Sequence, residues 1–338
     1  MFRPLLSTNV YRLLPAMIAC LGMLAAARAE DAPAFPTDPN AWINSGPLSV
    51  DGLKGKGIVL WFFEENDANT LKRWPAMIEA SQKYEKRLLP IVFIAVNSGN
   101  PRARVDAYFK QVPVKVTWPV LVDTSRDFEK ACGLFQEIND KNVSGIRYVT
   151  PKGEIQTSLT EEIEGIAEKA LEGAAWKVEP STIPDPLKSV WLAVEIGNYK
   201  GIAATLKKST SSPKSDIKDA ATKLMDIVQK EIDDQMGKIK EAQEATNPYR
   251  AFELLNELME HFNGFELSKD VATLKKDLAK DAKVKAGQAA LKIMELARKQ
   301  MGATGLKPKA KAALEKLIAE FPDTNLAKQA QTLIDYAP

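Results

Sequence analysis

The amino-acid sequence predicts two folded units, an α/β unit followed by an all-helical unit. Short apolar runs that suit buried strands alternate with helical patterns over residues 41–176. Strand patterns stop after a proline-rich stretch, and helical spacing continues to the end of the chain. In that second part, one set of apolar positions recurs after about 59 residues, which indicates stacked helical hairpins.

The first 29 residues predict a signal peptide. Arg3 and Arg12 supply the positive start, an apolar run follows, and residues 27–29 give the small-x-small pattern of a cleavage site. We expect cleavage after Ala29 and a location in the periplasm or outside the cell. Two alternatives would place the protein at a membrane: an uncleaved signal segment, or lipidation of Cys20.

The charge balance bears on the class of partner. Cleavage after Ala29 would remove three arginines and no acid, which leaves 43 Lys+Arg against 44 Asp+Glu. Nucleic acid is therefore not an expected partner, because its binding requires a basic excess that releases counterions. The remaining 309 residues suffice for about two domains.

Cysteine and histidine counts restrict the chemistry further. Cys132 is the one thiol that signal cleavage would leave, so neither an internal disulfide nor a redox dithiol is available. His261 is the only histidine, which makes a Cys/His metal site unexpected. We expect no metal and no other cofactor. For His261 we expect a core or surface role in a helix rather than membership of a Ser-His-Asp triad.

The α/β unit, 41–176, is preceded by a leader and its elements follow in order. The pattern predicts strands 58–63, 90–96 and 118–123, helices 67–86 and 101–111, a helix through Phe128 and Cys132, a hairpin of 145–150 and 154–156, and a closing helix 160–172. The strands are continuous apolar runs, as in strands covered on both faces. Alternating elements that end in an antiparallel hairpin predict a central mixed sheet flanked by helices.

Two connecting segments and the helical unit complete the organisation. Residues 30–40 are rich in proline and alanine and predict a flexible leader, and 177–188 contains three prolines and predicts a linker. The helical unit is 189–338, with a long amphipathic helix that begins at Ser215 or Asp216. Its repeated apolar positions are Leu255, Leu258, Phe262, Leu267, Val271 and Leu274, matched by Leu314, Leu317, Phe321, Leu326, Ala330 and Leu333. An ordinary bundle with two similar hairpins is the alternative.

Residues 41–49, the segment Leu53-Lys54-Gly55-Lys56-Gly57 and the strand that ends in Phe62-Phe63 resemble the entry to TlpA-like members of the thioredoxin superfamily. The resemblance covers about 41–175 and implies a thioredoxin-like domain. In that family a Cys-x-x-Cys pair follows the strand and precedes a helix that carries a proline. Counted back from Pro75, the two cysteine positions are occupied by Asp67 and Thr70.

These substitutions remove the family's chemistry. The first cysteine acts as a thiolate, which the helix N-terminus stabilises, and a Thr70 hydroxyl has no such character. Asp67 suits a helix cap instead. The resemblance also implies a cis-proline before the hairpin, and counting back from Gly153 puts Ser144 there. Cys132 lies near a helix C-terminus, where we expect a buried structural thiol.

An acidic stretch, Glu64-Glu65-Asn66-Asp67, occupies the loop where the family has its active site. It can hold a cation such as Ca²⁺, but it lacks the spacing of a calcium loop. We expect a solvated loop, with Lys72-Arg73 as the neighbouring opposite charge.

The function predicted from these residues is that of an exported, non-catalytic thioredoxin-like binding or scaffold protein. Its TPR-like helical repeat region would contact a protein or peptide partner. The alternative is a thioredoxin-like or peroxiredoxin-like oxidoreductase that acts through Cys132 alone or through a partner's thiol. Fold by itself does not decide between them.

Overall fold

The α/β unit is built on one mixed sheet. The computed structural model describes residues 30–66, 68–134, 145–157, 162–300 and 306–335. Within these ranges the strands are β1 (Glu30–Asp31), β2 (Trp42–Ile43), β3 (Gly57–Phe63), β4 (Ile91–Ser98), β5 (Val120–Asp123), β6 (Ile146–Val149) and β7 (Glu154–Thr157). Their order is β1-β7-β6-β3-β4-β5-β2, with β3, β4 and β5 parallel and the other pairs antiparallel.

Helices cover this sheet and connect its strands. They are α1 (Ala68–Lys86), α2 (Arg102–Phe109), α3 (Asp127–Ala131) and α4 (Ile163–Leu171). A helix joins the parallel strands β3 and β4, and an antiparallel hairpin, β6–β7, precedes the closing helix. The predicted architecture, a central mixed sheet flanked by helices, is confirmed. Thr160, the first residue of the predicted closing helix, lies outside the described residues.

Strand β3 contributes to an apolar core on each face of the sheet. Val59, Trp61 and Phe63 pack with side chains of α1, α2 and α4. The alternate residues of β3 pack on the other face with Phe35, Phe128 and neighbouring side chains. Because both faces are buried, the strand is a continuous apolar run rather than an alternating one.

Residues 30–40 are ordered against the sheet, unlike the flexible leader that the sequence predicts. Glu30–Asp31 pairs with β7. Phe35 is 5% exposed and contacts the rings of Trp42 and Phe128, with centroid distances of 5.7 and 5.1 Å. The expectation was wrong because one buried aromatic side chain and one strand pair suffice to fix a segment of ordinary loop composition.

The helical unit begins with two short 3-10 turns, Pro180–Thr182 and Asp185–Leu187. Eight helices follow in the described ranges: α5 (Lys188–Glu195), α6 (Ala203–Thr210), α7 (Ser215–Glu244), α8 (Pro248–His261), α9 (Lys269–Leu278), α10 (Ala282–Gln300), α11 (Pro308–Glu320) and α12 (Asn325–Asp335). The predicted linker 177–188 is part of this unit, since Val178, Ile183 and Leu187 are buried in its core. None of the helices in the described ranges has the length and hydropathy of a membrane span.

The repeated apolar positions form two helical hairpins, α8–α9 and α11–α12. In the first copy, Leu255, Leu258 and Phe262 are buried in one core. Their counterparts Leu314, Leu317 and Phe321 are buried in the adjoining core. Each hairpin therefore packs its apolar face against neighbouring helices, as a repeat of this kind requires.

A buried ion pair joins the two units. Lys56 Nζ lies 3.0 Å from Glu195 Oε2, and both side chains are fully buried. The same carboxylate accepts hydrogen bonds from the backbone N–H groups of Lys177 and Val178, at 2.9 and 2.6 Å. Lys56 Nζ also lies 5.6 Å from the centre of the Trp176 ring. At the other end of the helical unit, α12 contacts α3 of the α/β unit.

Helix α10 is fixed by a close approach to α8. A Cβ added at Gly287 would lie 2.3 Å from Cδ2 and Cε2 of Tyr249, so only glycine fits. The Tyr249 ring in turn contacts Phe321, with a centroid distance of 5.2 Å. This contact determines which face of α10 is buried.

We expect Lys56→Met to lower the free energy of unfolding by about 3–5 kcal/mol, because the Glu195 carboxylate would stay buried without its cation. Urea denaturation measures the change. Lys54→Met is the matched control, since Lys54 pairs with Asp51 at the surface and should contribute less than about 1 kcal/mol. Similar losses in both variants would contradict a distinct role for the buried pair.

We expect Gly287→Ala to lower the melting temperature despite the better helix propensity of alanine, because the Tyr249 ring or the whole helix must shift. Gly237→Ala in α7 is the control. An added Cβ there meets nothing within 4 Å, so this variant should gain up to about 1 kcal/mol. Thermal unfolding followed by circular dichroism tests both, and a gain in both would contradict the close packing.

Candidate functional site

Two of the four residues singled out by the thioredoxin resemblance lie in the described ranges. Thr70, in the first turn of α1, is 1% exposed, and Cys132, directly after α3, is 5% exposed. Asp67 and Ser144 lie outside the described residues. Cys132 and Thr70 are thus both buried, and they belong to different elements.

The surroundings of Cys132 disfavour a reactive thiolate. Burial raises the pKa of the thiol well above its usual range, and the nearby carboxyls of Asp123 and Glu129 act in the same direction. Arg147 opposes the shift, and its Nε donates to the Cys132 carbonyl oxygen at 3.2 Å. A protonated, shielded thiol is a poor nucleophile.

The polar residues that a functional site would need gather at one edge of the sheet. The parallel strands β3, β4 and β5 end at the same edge, where open α/β sheets bind ligands. Glu64 and Glu65 follow β3, Asn97 and Ser98 end β4, and Asp123 ends β5. We call this group the carboxyl edge.

Glu65 is held from three sides. Its Oε2 accepts from Asn97 Nδ2 at 3.1 Å and from Asn100 Nδ2 at 2.7 Å. Its Oε1 lies 2.8 Å from Arg104 Nε, and the side chain is 4% exposed. This cation comes from α2. The sequence did not indicate that Glu65 pairs with Arg104, because the turn after β4 brings these two residues together.

Glu64 is positioned to hold a proton. Its pKa is raised to about 7. Burial is the largest cause, followed by the hydrogen bond with Glu65 and the negative charge of Glu65. Asn100 Nδ2 also lies 3.4 Å from Glu64 Oε1, which partly opposes the shift. A neighbouring negative charge favours the protonated form of a carboxyl.

Asp123 lies in a second part of the same network. Its Oδ2 accepts from the Glu129 backbone N–H at 2.8 Å and from Ser98 Oγ at 3.4 Å. Burial raises its pKa to about 6. Glu129 pairs with Arg126 through two hydrogen bonds of 3.0 Å each. Most of these polar groups are therefore engaged with one another.

The carboxyl edge leaves little room for a ligand. The cavity there has a volume of about 10 Å³, close to the minimum for one water molecule. It is lined by Phe63, Glu64, Ser98, Arg126 and Glu129. In the described ranges no three acidic, histidine or cysteine groups converge as metal ligands. Among the described residues, this arrangement can bind a proton at Glu64 and connect the ends of three strands.

A larger crevice of about 160 Å³ lies between the two units. It is still small beside ligand pockets, which measure about 300–1,000 Å³. His261 borders it at the end of α8, and burial lowers the pKa of that imidazole. The other lining residues are Pro39, Gly46, Pro47, Asn198, Tyr199, Lys200, Gly201, Glu260 and Asn263. No local sequence pattern indicated this crevice, because three distant segments form it.

Three solved structures similar to part of this chain are thiol–disulfide proteins. A thiol:disulfide interchange protein of the thioredoxin family from Chlorobium tepidum is 19% identical, with 44% of this chain and 99% of that chain covered and a TM-score of 0.32. The thioredoxin domain of a thiol-disulfide oxidoreductase from Bacteroides vulgatus is 13% identical, with 42% and 97% covered and a TM-score of 0.32. A secreted disulfide oxidoreductase from Mycobacterium tuberculosis is 11% identical, with 37% and 87% covered and a TM-score of 0.27. Identities of this size concern the fold alone, and no family model and no curated protein matches the sequence.

The raised pKa of Glu64 predicts a pH-dependent stability. The folded state holds this proton more tightly than the unfolded chain, where the pKa is near 4.5. The stability from this proton is complete below about pH 4.5 and is lost as the pH rises through about 7.

We therefore expect Glu64→Gln to gain stability relative to the natural chain as the pH rises from 4.5 to 7, the interval between the two pKa values. Urea denaturation at several pH values across and above this interval measures the difference. The titrating groups that do not contact Glu64 are common to both proteins and cancel. Parallel stability curves would contradict the proton assigned to Glu64.

Proposed function

We propose that this protein is an exported, non-catalytic thioredoxin-like binding or scaffold protein whose helical unit contacts a protein or peptide partner. The observation that carries the proposal is the state of Cys132. It is the only cysteine in the described part of the chain, it is buried, and its pKa is raised. A thiol in that state does not suit disulfide exchange.

The carboxyl edge supports the same proposal. Disulfide exchange at this end of the fold requires an accessible sulfur, and the residues at the two cysteine positions, Asp67 and Thr70, carry none. Glu65, Asn97, Asn100 and Arg104 bind one another across the strand ends. In this proposal the carboxyl edge stabilises the strand ends and does not carry out a reaction.

The helical unit is the proposed interaction region. Its hairpins α8–α9 and α11–α12 stack on neighbouring helices, an arrangement that often presents surfaces to partner proteins. Part of that surface is used within the chain, since α5 and α12 contact the α/β unit. The remaining exposed helix faces are available to a partner.

Export is the proposed route to the site of action. The positive start, the apolar run and the small residues before Glu30 support cleavage after Ala29 and release into the periplasm or the medium. Attachment to a membrane would follow only from an uncleaved signal segment or from lipidation of Cys20.

The test is thiol–disulfide turnover by the chain from Glu30 onward, beside its Cys132→Ser form. We expect neither to reduce insulin with dithiothreitol or to consume peroxide, while an oxidoreductase with an intact cysteine pair does so in the same assay. We also expect Cys132 to react slowly with Ellman's reagent in native buffer, and fully in guanidinium chloride. Turnover that disappears with Cys132→Ser would overturn the proposal in favour of a one-cysteine oxidoreductase.

A further inference from the structure

Helix α10 exposes an unusual amount of apolar surface. Five large hydrophobic side chains are exposed in the described ranges, and three of them lie on this helix: Leu291, Ile293 and Leu296, at 50%, 42% and 55%. Ile293 and Leu296, three residues apart, share one face of the helix, whereas Leu291 lies about 160° around the axis from Ile293. Neighbouring exposed apolar side chains such as Ile293 and Leu296 can indicate an interaction surface.

The exposure does not come from a loosely attached helix. Val284, Met294 and Ala297 of α10 are buried in the core shared with α11 and α12. Gly287 lies directly against the Tyr249 ring. The helix is thus fixed in rotation, and its outer face is presented to solvent in a defined orientation.

The outer face has the spacing of a helix-packing seam. Ala282, Ala286, Ala289, Ile293 and Leu296 follow one another in alternating steps of four and three residues. This is the a/d spacing of a heptad repeat, which keeps apolar side chains along one stripe of a helix. Ala286 is half-buried and the other four are exposed. We call these five residues the free seam.

Lysines border the free seam at heptad spacing. Lys285, Lys292 and Lys299 are seven residues apart, exposed, and occupy the g positions beside the stripe. The wider segment 282–311 contains eight Lys or Arg residues and a single acid, Glu295. This segment is therefore basic although the net charge of the whole chain is near zero. Glu295 Oε1 lies 2.6 Å from Lys299 Nζ, which leaves Lys285 and Lys292 as the bordering lysines without an ion pair in the described ranges.

We propose that the free seam docks an amphipathic helix of a partner protein, with apolar side chains on the stripe and acidic side chains opposite the three lysines. The proposal rests on the proposed binding function and names the partner's chemistry. Apolar packing along a/d positions supplies affinity, and opposite charges at the flanking positions select the partner and its register.

Other occupants fit the free seam less well. A second copy of α10 would bring its own lysines against Lys285, Lys292 and Lys299, and like charges across such an interface oppose pairing. A membrane surface suits a broad apolar face with aromatic side chains. The free seam is a narrow stripe with two large aliphatic side chains, and α10 contains no aromatic residue.

The test uses a synthetic three-heptad peptide with leucine at a and d and glutamate at e and g, titrated against the chain from Glu30 onward by fluorescence anisotropy. We expect saturable one-to-one binding. Lys285→Glu, Lys292→Glu and Lys299→Glu together should weaken it at least about tenfold. The matched control reverses Lys218, Lys223 and Lys230, which are exposed on α7. It changes the net charge equally and should alter the dissociation constant by less than about threefold.

Apolar substitutions and a charge exchange complete the design. Ile293→Ser with Leu296→Ser should abolish measurable binding, whereas Leu192→Ser on α5, which removes an equally exposed leucine, should not. A peptide with lysine in place of glutamate should bind the variant with three reversed lysines. Circular dichroism verifies that each variant is folded.

Absence of peptide binding, or binding that these substitutions do not affect, would overturn the free seam as a docking site. Binding to phosphatidylglycerol vesicles in place of the peptide would overturn it in favour of a lipid surface. Loss of peptide binding without thiol turnover overturns this inference alone. Thiol turnover would instead overturn the proposed function on which the inference rests.

Discussion

The buried ion pair between Lys56 and Glu195 is the interaction on which the arrangement of this protein depends. Removing two charges from water costs several kcal/mol for each ion, and only close geometry with further hydrogen bonds offsets that cost. Glu195 has these bonds, from the backbone of Lys177 and Val178, and Lys56 also faces the Trp176 ring. One carboxylate thereby connects the start of β3, the segment after the α/β unit and the end of α5. Burial lowers the pKa of Lys56, and the charge of Glu195 opposes that shift.

The connection between the units determines which surfaces remain for function. The α/β unit uses its carboxyl edge internally, where Glu64, Glu65 and Asp123 are held by neighbouring amides, a guanidinium and backbone N–H groups. An edge that binds ligands in many α/β proteins is here filled by its own side chains. At the two ends of the helical unit, α5 and α12 contact the α/β unit. The outer face of α10 is left with apolar side chains and lysines in solvent.

Much of the fold could be predicted because its elements carry strong periodic patterns. The apolar runs correspond to β3, β4 and β5, the long amphipathic pattern to α7, and the repeated positions to α8–α9 and α11–α12. The errors fell on segments whose order comes from a few distant contacts, such as Phe35 on Phe128. The same limit applied to the candidate site. The acidic loop was visible in the sequence, but its partners Asn97, Asn100 and Arg104 come from other elements.

The sequence by itself determined that no two cysteines have Cys-x-x-Cys spacing, because that requires only the identity of residues. It also determined the helical nature of the second unit, because apolar spacing follows directly from 3.6 residues per turn. Only the tertiary structure decided that Lys56 is buried while Lys54, two residues away, is exposed. It likewise decided that Met294 faces the core and Ile293 faces solvent. Both outcomes depend on which elements pack on each side of a residue, and local pattern does not contain that information.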